Sequence, residues 1–149
     1  MSTQPARTSA DAELETFIES CEEALRHQVR GESEPLLALW SQAEDVAILG
    51  AVGSYARGWN DVRSHLRATG KLLNWTGVSV ERVLTQGDDR LAVSVVLERM
   101  TRDSKEPKAR TLRVTHAFRR ENDRWRLFLR HANLVSPEDE QRERSLLEQ

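Results

Sequence analysis

The stretch Thr111–Val135, TLRVTHAFRRENDRWRLFLRHANLV, limits most tightly what this chain can fold into. Two alternating apolar runs flank the polar turn Glu121-Asn122-Asp123-Arg124. Leu112, Val114, His116 and Phe118 share one parity before the turn; Trp125, Leu127, Leu129 and His131 share one after it. Alternation of period two predicts a hairpin with one packed face and one open face. If the strands pair around residues 122–123, opposing residue numbers sum to about 245–247, which sets His116 across from Leu129–His131.

The preceding strands follow the same logic. Asn74–Thr85 carries Val78, Val80 and Leu84 on one parity, Gln86-Gly87-Asp88-Asp89 is a turn signal, and Leu91, Val93, Val95 and Leu97 alternate beyond it. Thr101–Lys108, with Pro107, reads as a charged loop. The N-terminal part is helical. From Asp11, the residues Leu14, Phe17, Ile18, Cys21, Leu25 and Val29 form one stripe, with acids at its start, Arg26, His27 and Arg30 at its end, and Gly31 as a stop. Pro35 opens a short second helix with Leu36, Leu37 and Trp40. Glu44–Leu49 reads as a short strand, Gly50-Ala51-Val52-Gly53 as a bend, and Gly58–Leu73 as a third helix carrying Trp59, Val62 and Leu66 on one face. The expected fold is therefore α+β, a curved antiparallel sheet with three N-terminal helices on its concave face. Residues 1–10 are expected to be disordered, 11–135 to form the domain, and 136–149 to be a marginal helical tail opened by Ser136-Pro137.

Composition narrows the function classes. With 149 residues the chain is long enough for one well-formed core, and 31% charged against 38% hydrophobic residues is ordinary for a globular protein. A net charge of −2 argues against a nucleic-acid or membrane-surface binder. No apolar run is long enough to span a bilayer, MSTQPARTSA lacks the apolar core of a secretory signal, and Cys21 is the single cysteine. A cytoplasmic location is the expectation. Arg113, Arg119, Arg120, Arg124, Arg126 and Arg130 fall mostly on the parity opposite the apolar set, so they are read as the outer face of the sheet, solvated or dimer-forming. No phosphate loop, zinc-binding cysteine pattern or Gly-x-Ser-x-Gly motif is present, so no cofactor is expected.

Three segments resemble the cone-shaped nuclear transport factor 2-like superfamily, and within it the SnoaL-like and ketosteroid-isomerase-like domains. They are WSQAEDVAILGAVG (Trp40–Gly53), ARGWNDVRSHL (Ala56–Leu66) and VTHAFRRENDRWRLFLRHANLV (Val114–Val135). The resemblance implies a pocket inside the cone. In ketosteroid isomerases it also implies a catalytic aspartate at the bend after the first strand, where this chain has Gly50-Ala51-Val52. None of those side chains can move a proton. Asp45, by the resemblance, caps or turns the chain. One superfold hosts enzymes, binders and assembly modules. Two functions follow as expectations: a small-molecule-binding domain with its reaction unassigned, or a non-catalytic oligomerisation or accessory module.

His116 and His131 are the candidates for chemistry, each continuing an apolar series into the cone; the alternative is a pair of structural histidines satisfied within the core. Trp40, Trp59, Trp75 and Leu129 are expected to line an apolar pocket around them, for a small apolar or aromatic ligand. A metal site lacks a third ligand at suitable spacing, His65 being a distant option. Phe128, among the outward arginines, points to a homodimer through the outer sheet face.

Overall fold

The computed structural model describes residues 9–106 and 108–149. In chain order the elements are α1 (Ser9–Gln28), α2 (Glu34–Leu37), β1 (Ala47–Leu49), β2 (Tyr55–Arg57), α3 (Trp59–Leu72), β3 (Gly77–Gly87), β4 (Leu91–Arg102), β5 (Lys108–Glu121), β6 (Arg124–Val135) and α4 (Pro137–Leu147). Of the segment expected to be disordered, residues 1–8 lie outside the described residues.

The closing hairpin forms as its sequence dictates. Asn122 and Asp123 adopt φ of 50° and 63°. Paired left-handed residues let a two-residue turn match the twist of its strands, and Asn and Asp tolerate that conformation better than most side chains. Pairing from Thr111↔Val135 to Ala117↔Leu129 sets His116 opposite Arg130, inside the anticipated window.

The α+β architecture is as expected: one curved, unclosed sheet in the order β2-β1-β6-β5-β4-β3. One pairing departs from the antiparallel expectation. β1 runs parallel to β6, with Ile48 beside Arg130, while β2, which no alternation in the sequence marks, pairs antiparallel with β1. A three-residue strand such as Tyr55–Arg57 carries too little alternation to be read locally.

The concave face is covered by the helices. Leu14, Ile18 and Ala24 of α1, Leu36 and Leu37 of α2, and Val62 and Leu66 of α3 pack with Ala92, Phe118, Trp125 and Leu127 of the sheet. Gly70 allows α3 to approach the α1–α2 connection closely, since a Cβ there would stand 2.3 Å from Ser33 Oγ. Ser33 Oγ and Gln28 Nε2 both donate to the Leu66 carbonyl oxygen, at 3.1 and 2.8 Å. Gly31, at φ 96°, ends the first helical segment as anticipated. At the far edge, Arg82 on β3 is held by Glu15 and Glu22 of α1.

Two β-bulges set which residues face inward. On β3 the register shifts between Arg82 and Leu84. On β6, Phe118 pairs with Leu127 but Ala117 pairs with Leu129, leaving Phe128 as an extra residue. An extra residue reverses the side-chain alternation beyond it. Trp125 and Leu127 therefore face the helices before the bulge, and Arg130 and Ala132 after it.

Candidate functional site

Beyond the β6 bulge, three inward-facing polar residues meet. His116 on β5 has Ser94 of β4 on one side and Arg130 of β6 on the other, and Glu98 lies farther along the same face of β4. The long Arg130 side chain crosses β5 diagonally and makes an end-on, two-pronged ion pair with Glu98. Nη1 donates to Oε2 at 2.7 Å and Nη2 to Oε1 at 2.8 Å. Both side chains are taken from water, with Glu98 1% and Arg130 15% exposed.

The same Nη1 lies 3.1 Å from His116 Nε2. A guanidinium can only donate, so Nε2 is the acceptor and the imidazole proton sits on Nδ1. Burial pushes the His116 pKa down to about 4, assisted by the neighbouring Arg130 charge. Burial opposes ionisation of Glu98, but the charge and hydrogen bonds of Arg130 outweigh it and hold the carboxyl below its ordinary range. At neutral pH the group is thus a carboxylate, a guanidinium and a neutral imidazole.

Two chambers lie between sheet and helices and share Leu25, Leu36, Glu98 and Arg130, so the ion pair forms part of both walls. The smaller has a volume of about 30 Å³ and brings His116 and Ser94 beside Cys21 and Phe118, room for about one water. Burial raises the Cys21 thiol to about 12, which keeps it protonated and poorly nucleophilic. The larger, about 180 Å³, is walled by Val29, Ile48, Leu66, Met100 and Ala132 and carries Gln28, His65 and Arg110 as further polar groups. His65 is half-buried there, and burial, then Arg130, lowers its pKa. Gln28 Oε1 is buried with no hydrogen-bond partner among the described residues.

The sequence-predicted site residues separate. Of the two candidate histidines, His116 lines the smaller enclosed chamber, whereas His131 borders an open groove beside the Gly50–Ser54 bend. His131 pairs with Thr115 on the convex face and is exposed, because the Phe128 bulge inverts the parity that was to carry it inward. Leu129, opposite Ala117, is turned outward by the same bulge. The tryptophans wall neither chamber. Trp40 is core, 1% exposed, and ties the end of α2 to Leu127 by a bridge; Trp59 packs at the edge of that core. Trp75 belongs to a second core cluster, with Arg102 5.0 Å and Arg110 5.7 Å from its ring centre. Of the arginines read as the outer face, two turn inward: Arg130, opposite His116 as the pairing arithmetic implied, and Arg120, which lies opposite Trp125 and pairs with Glu13 of α1. Glu98 was missed because β4 is apolar on both parities, and the bulkier set, Val93, Val95 and Leu97, faces outward. A lone charge among Ala92, Ser94, Val96 and Met100 was the available signal.

The bend Gly50–Ser54 contributes Gly50, Ala51 and Val52 to the larger chamber without a carboxylate. Asp45 stands apart: Arg119 donates to both of its oxygens, at 2.9 and 2.7 Å. Among the described residues no group of three His, Cys, Asp or Glu side chains is arranged to hold a metal ion, and no helix is long and apolar enough to cross a membrane.

The family model described as the SnoaL-like domain matches residues 19–135. Solved structures share the fold at low identity. A candidate calcium/calmodulin-dependent protein kinase type II association domain from Thiobacillus denitrificans is 22% identical, covering 82% of this chain and 94% of that one, with a TM-score of 0.69. A candidate dehydratase of the nuclear transport factor 2-like family from Streptomyces avermitilis is 19% identical, covering 85% and 97%, at 0.66. A candidate scytalone dehydratase from Novosphingobium aromaticivorans is 20% identical, covering 84% and 83%, at 0.61. No curated protein matches the sequence.

Proposed function

Because the chain belongs to the SnoaL-like family, we propose that it is a small-molecule-binding domain whose ligand enters the larger chamber and meets the Glu98–Arg130 ion pair, which His116 backs from the smaller chamber. One observation carries this reading: an ion pair built into the wall of an otherwise largely apolar chamber. Replacing a buried ion pair with apolar residues of similar volume is often neutral or stabilising, so stability alone gives little reason to keep one. A purely structural core would be served as well by leucines. The chamber's size suits a compact ligand, since a comparable apolar cavity of about 150 Å³ admits benzene.

This chamber does not support ketosteroid isomerisation by a bend carboxylate. The bend offers no carboxylate base, and Glu98 is engaged by Arg130 on both oxygens. The dehydratase descriptions of two structural relatives belong to those proteins. A homodimer through the convex sheet face accompanies the reading. Phe128 packs partly against the core beneath Arg119, and the outward apolar set Leu84, Leu91, Val93, Val95 and Leu97 supports the dimer. A cytoplasmic location is retained for the single thiol Cys21.

The test combines native mass spectrometry of the purified chain with a fragment screen followed by thermal shift. Ala132 is buried and walls the larger chamber, so Ala132→Leu fills it. Binding in wild type that is lost in Ala132→Leu and unchanged in His131→Phe supports the reading. Binding indifferent to Ala132→Leu, or lost with His131→Phe, overturns it.

A further inference from the structure

The hydrogen-bond inventory of Arg130 narrows the ligand class. A guanidinium has five N–H donors in a rigid plane. Three are committed: one from each terminal nitrogen to Glu98, and the second from Nη1 to His116. The two that remain, Nε–H and the outer Nη2–H, point in parallel from the side edge of the plane. That fork has the spacing a carboxylate accepts with both oxygens. Neither donor has an acceptor among the described residues.

Charge points the same way. The larger chamber is walled by one carboxylate, Glu98, and two guanidiniums, Arg110 and Arg130. Glu98 and Arg130 neutralise each other, leaving one positive charge in excess. Arg110 has no ion-pair partner among the described residues; it leans on the Trp75 ring on the inward side of β5, opposite Met100. His65, on α3, stays neutral beside Arg130 and can donate a hydrogen bond without adding charge. A buried anion is tolerated where it is paired and hydrogen-bonded, and this wall supplies both.

We infer that the larger chamber takes a small organic carboxylate with an apolar body of about benzene size, its carboxylate on the side edge of Arg130 and within the field of Arg110. This rests on the reading of the chamber as a ligand site and deepens it. The Glu98 ion pair then has a definite role as a clamp. By occupying the end-on fork of Arg130 and fixing the plane, it presents the side fork to the ligand already oriented, which lowers the ordering cost of binding.

Isothermal titration calorimetry of the full chain at pH 7.5 with benzoate, benzamide and toluene tests the inference. Benzoate and benzamide have the same shape and differ in charge; toluene keeps only the body. Benzoate should bind at least about tenfold more tightly than benzamide, and Arg110→Gln should weaken benzoate by about three- to tenfold without changing benzamide; tenfold corresponds to about 1.4 kcal/mol. Arg110 is exposed, so the variant leaves the core intact, and Arg110→Lys should recover part of the affinity. Equal binding of benzoate and benzamide, or binding of toluene without benzoate, overturns the carboxylate inference while the chamber reading survives. Binding of none of the three overturns both.

Discussion

Arg130 Nη1 lies 3.1 Å from His116 Nε2, between two residues that face each other across the closing hairpin. Because arginine cannot give up its proton under ordinary conditions, the imidazole must stay neutral to keep this contact. The folded chain consequently resists protonating His116, whose pKa is depressed from 6.5 to about 4.

The consequence for stability has a definite sign. Between those two values the unfolded chain binds a proton at this position and the folded chain does not. The His116 contribution is therefore fully present above pH 6.5 and is lost as the pH falls towards about 4, by something on the order of 3 kcal/mol. Asp45 and Glu98, whose pKa values are also lowered, titrate with the carboxylates, and their stabilisation is lost at still lower pH. His116→Gln keeps an acceptor for Arg130 but cannot titrate. Urea unfolding of both proteins between pH 7.5 and 4 should show the wild type losing stability relative to the variant. Parallel pH profiles would refute the protonation assignment.

Breaking the ion pair from one side should cost far more than removing it. Glu98→Leu or Arg130→Met alone leaves an uncompensated buried charge, worth roughly 3–5 kcal/mol, whereas the double variant should regain most of that loss. A double-mutant cycle by denaturant unfolding measures the difference. The doubly substituted protein should still lose benzoate binding, which separates the proposed role from a structural one. Additive single costs, or an unimpaired ligand affinity in the double variant, would contradict this account.

The convex face offers a third prediction. Val95 lies outward beside Leu84 and opposite Thr115, away from both chambers. We expect sedimentation at micromolar concentration to show a dimer for the wild type and a monomer for Val95→Glu, with the monomer's thermal unfolding still cooperative. A wild-type monomer, or a dimer insensitive to Val95→Glu, would remove the homodimer from the proposal.

Local sequence was enough to determine the elements whose signals are local. The turn at Asn122-Asp123 carries its own conformational preference, the helical stripe from Leu14 to Val29 its own periodicity, and Ser136-Pro137 its own cap, in which Ser136 Oγ accepts from the Asp139 amide at 3.3 Å. With the turn placed, strand register followed, and with it the meeting of His116 with the centre of its partner window. What the sequence could not decide was the side of the sheet on which residues beyond a bulge fall. The extra residue Phe128 has no local mark, yet it turned His131 and Leu129 outward and brought Arg130 inside. Nor could periodicity choose a face for β4, where Val93 and Val95 compete with Val96 and Met100 and the helices cover only one side. Both decisions rest on long-range packing. The bulge persists where the concave face can bury Leu127 before it and Ala132 after it, and Glu98 can be buried because that same bulge delivers Arg130 to it.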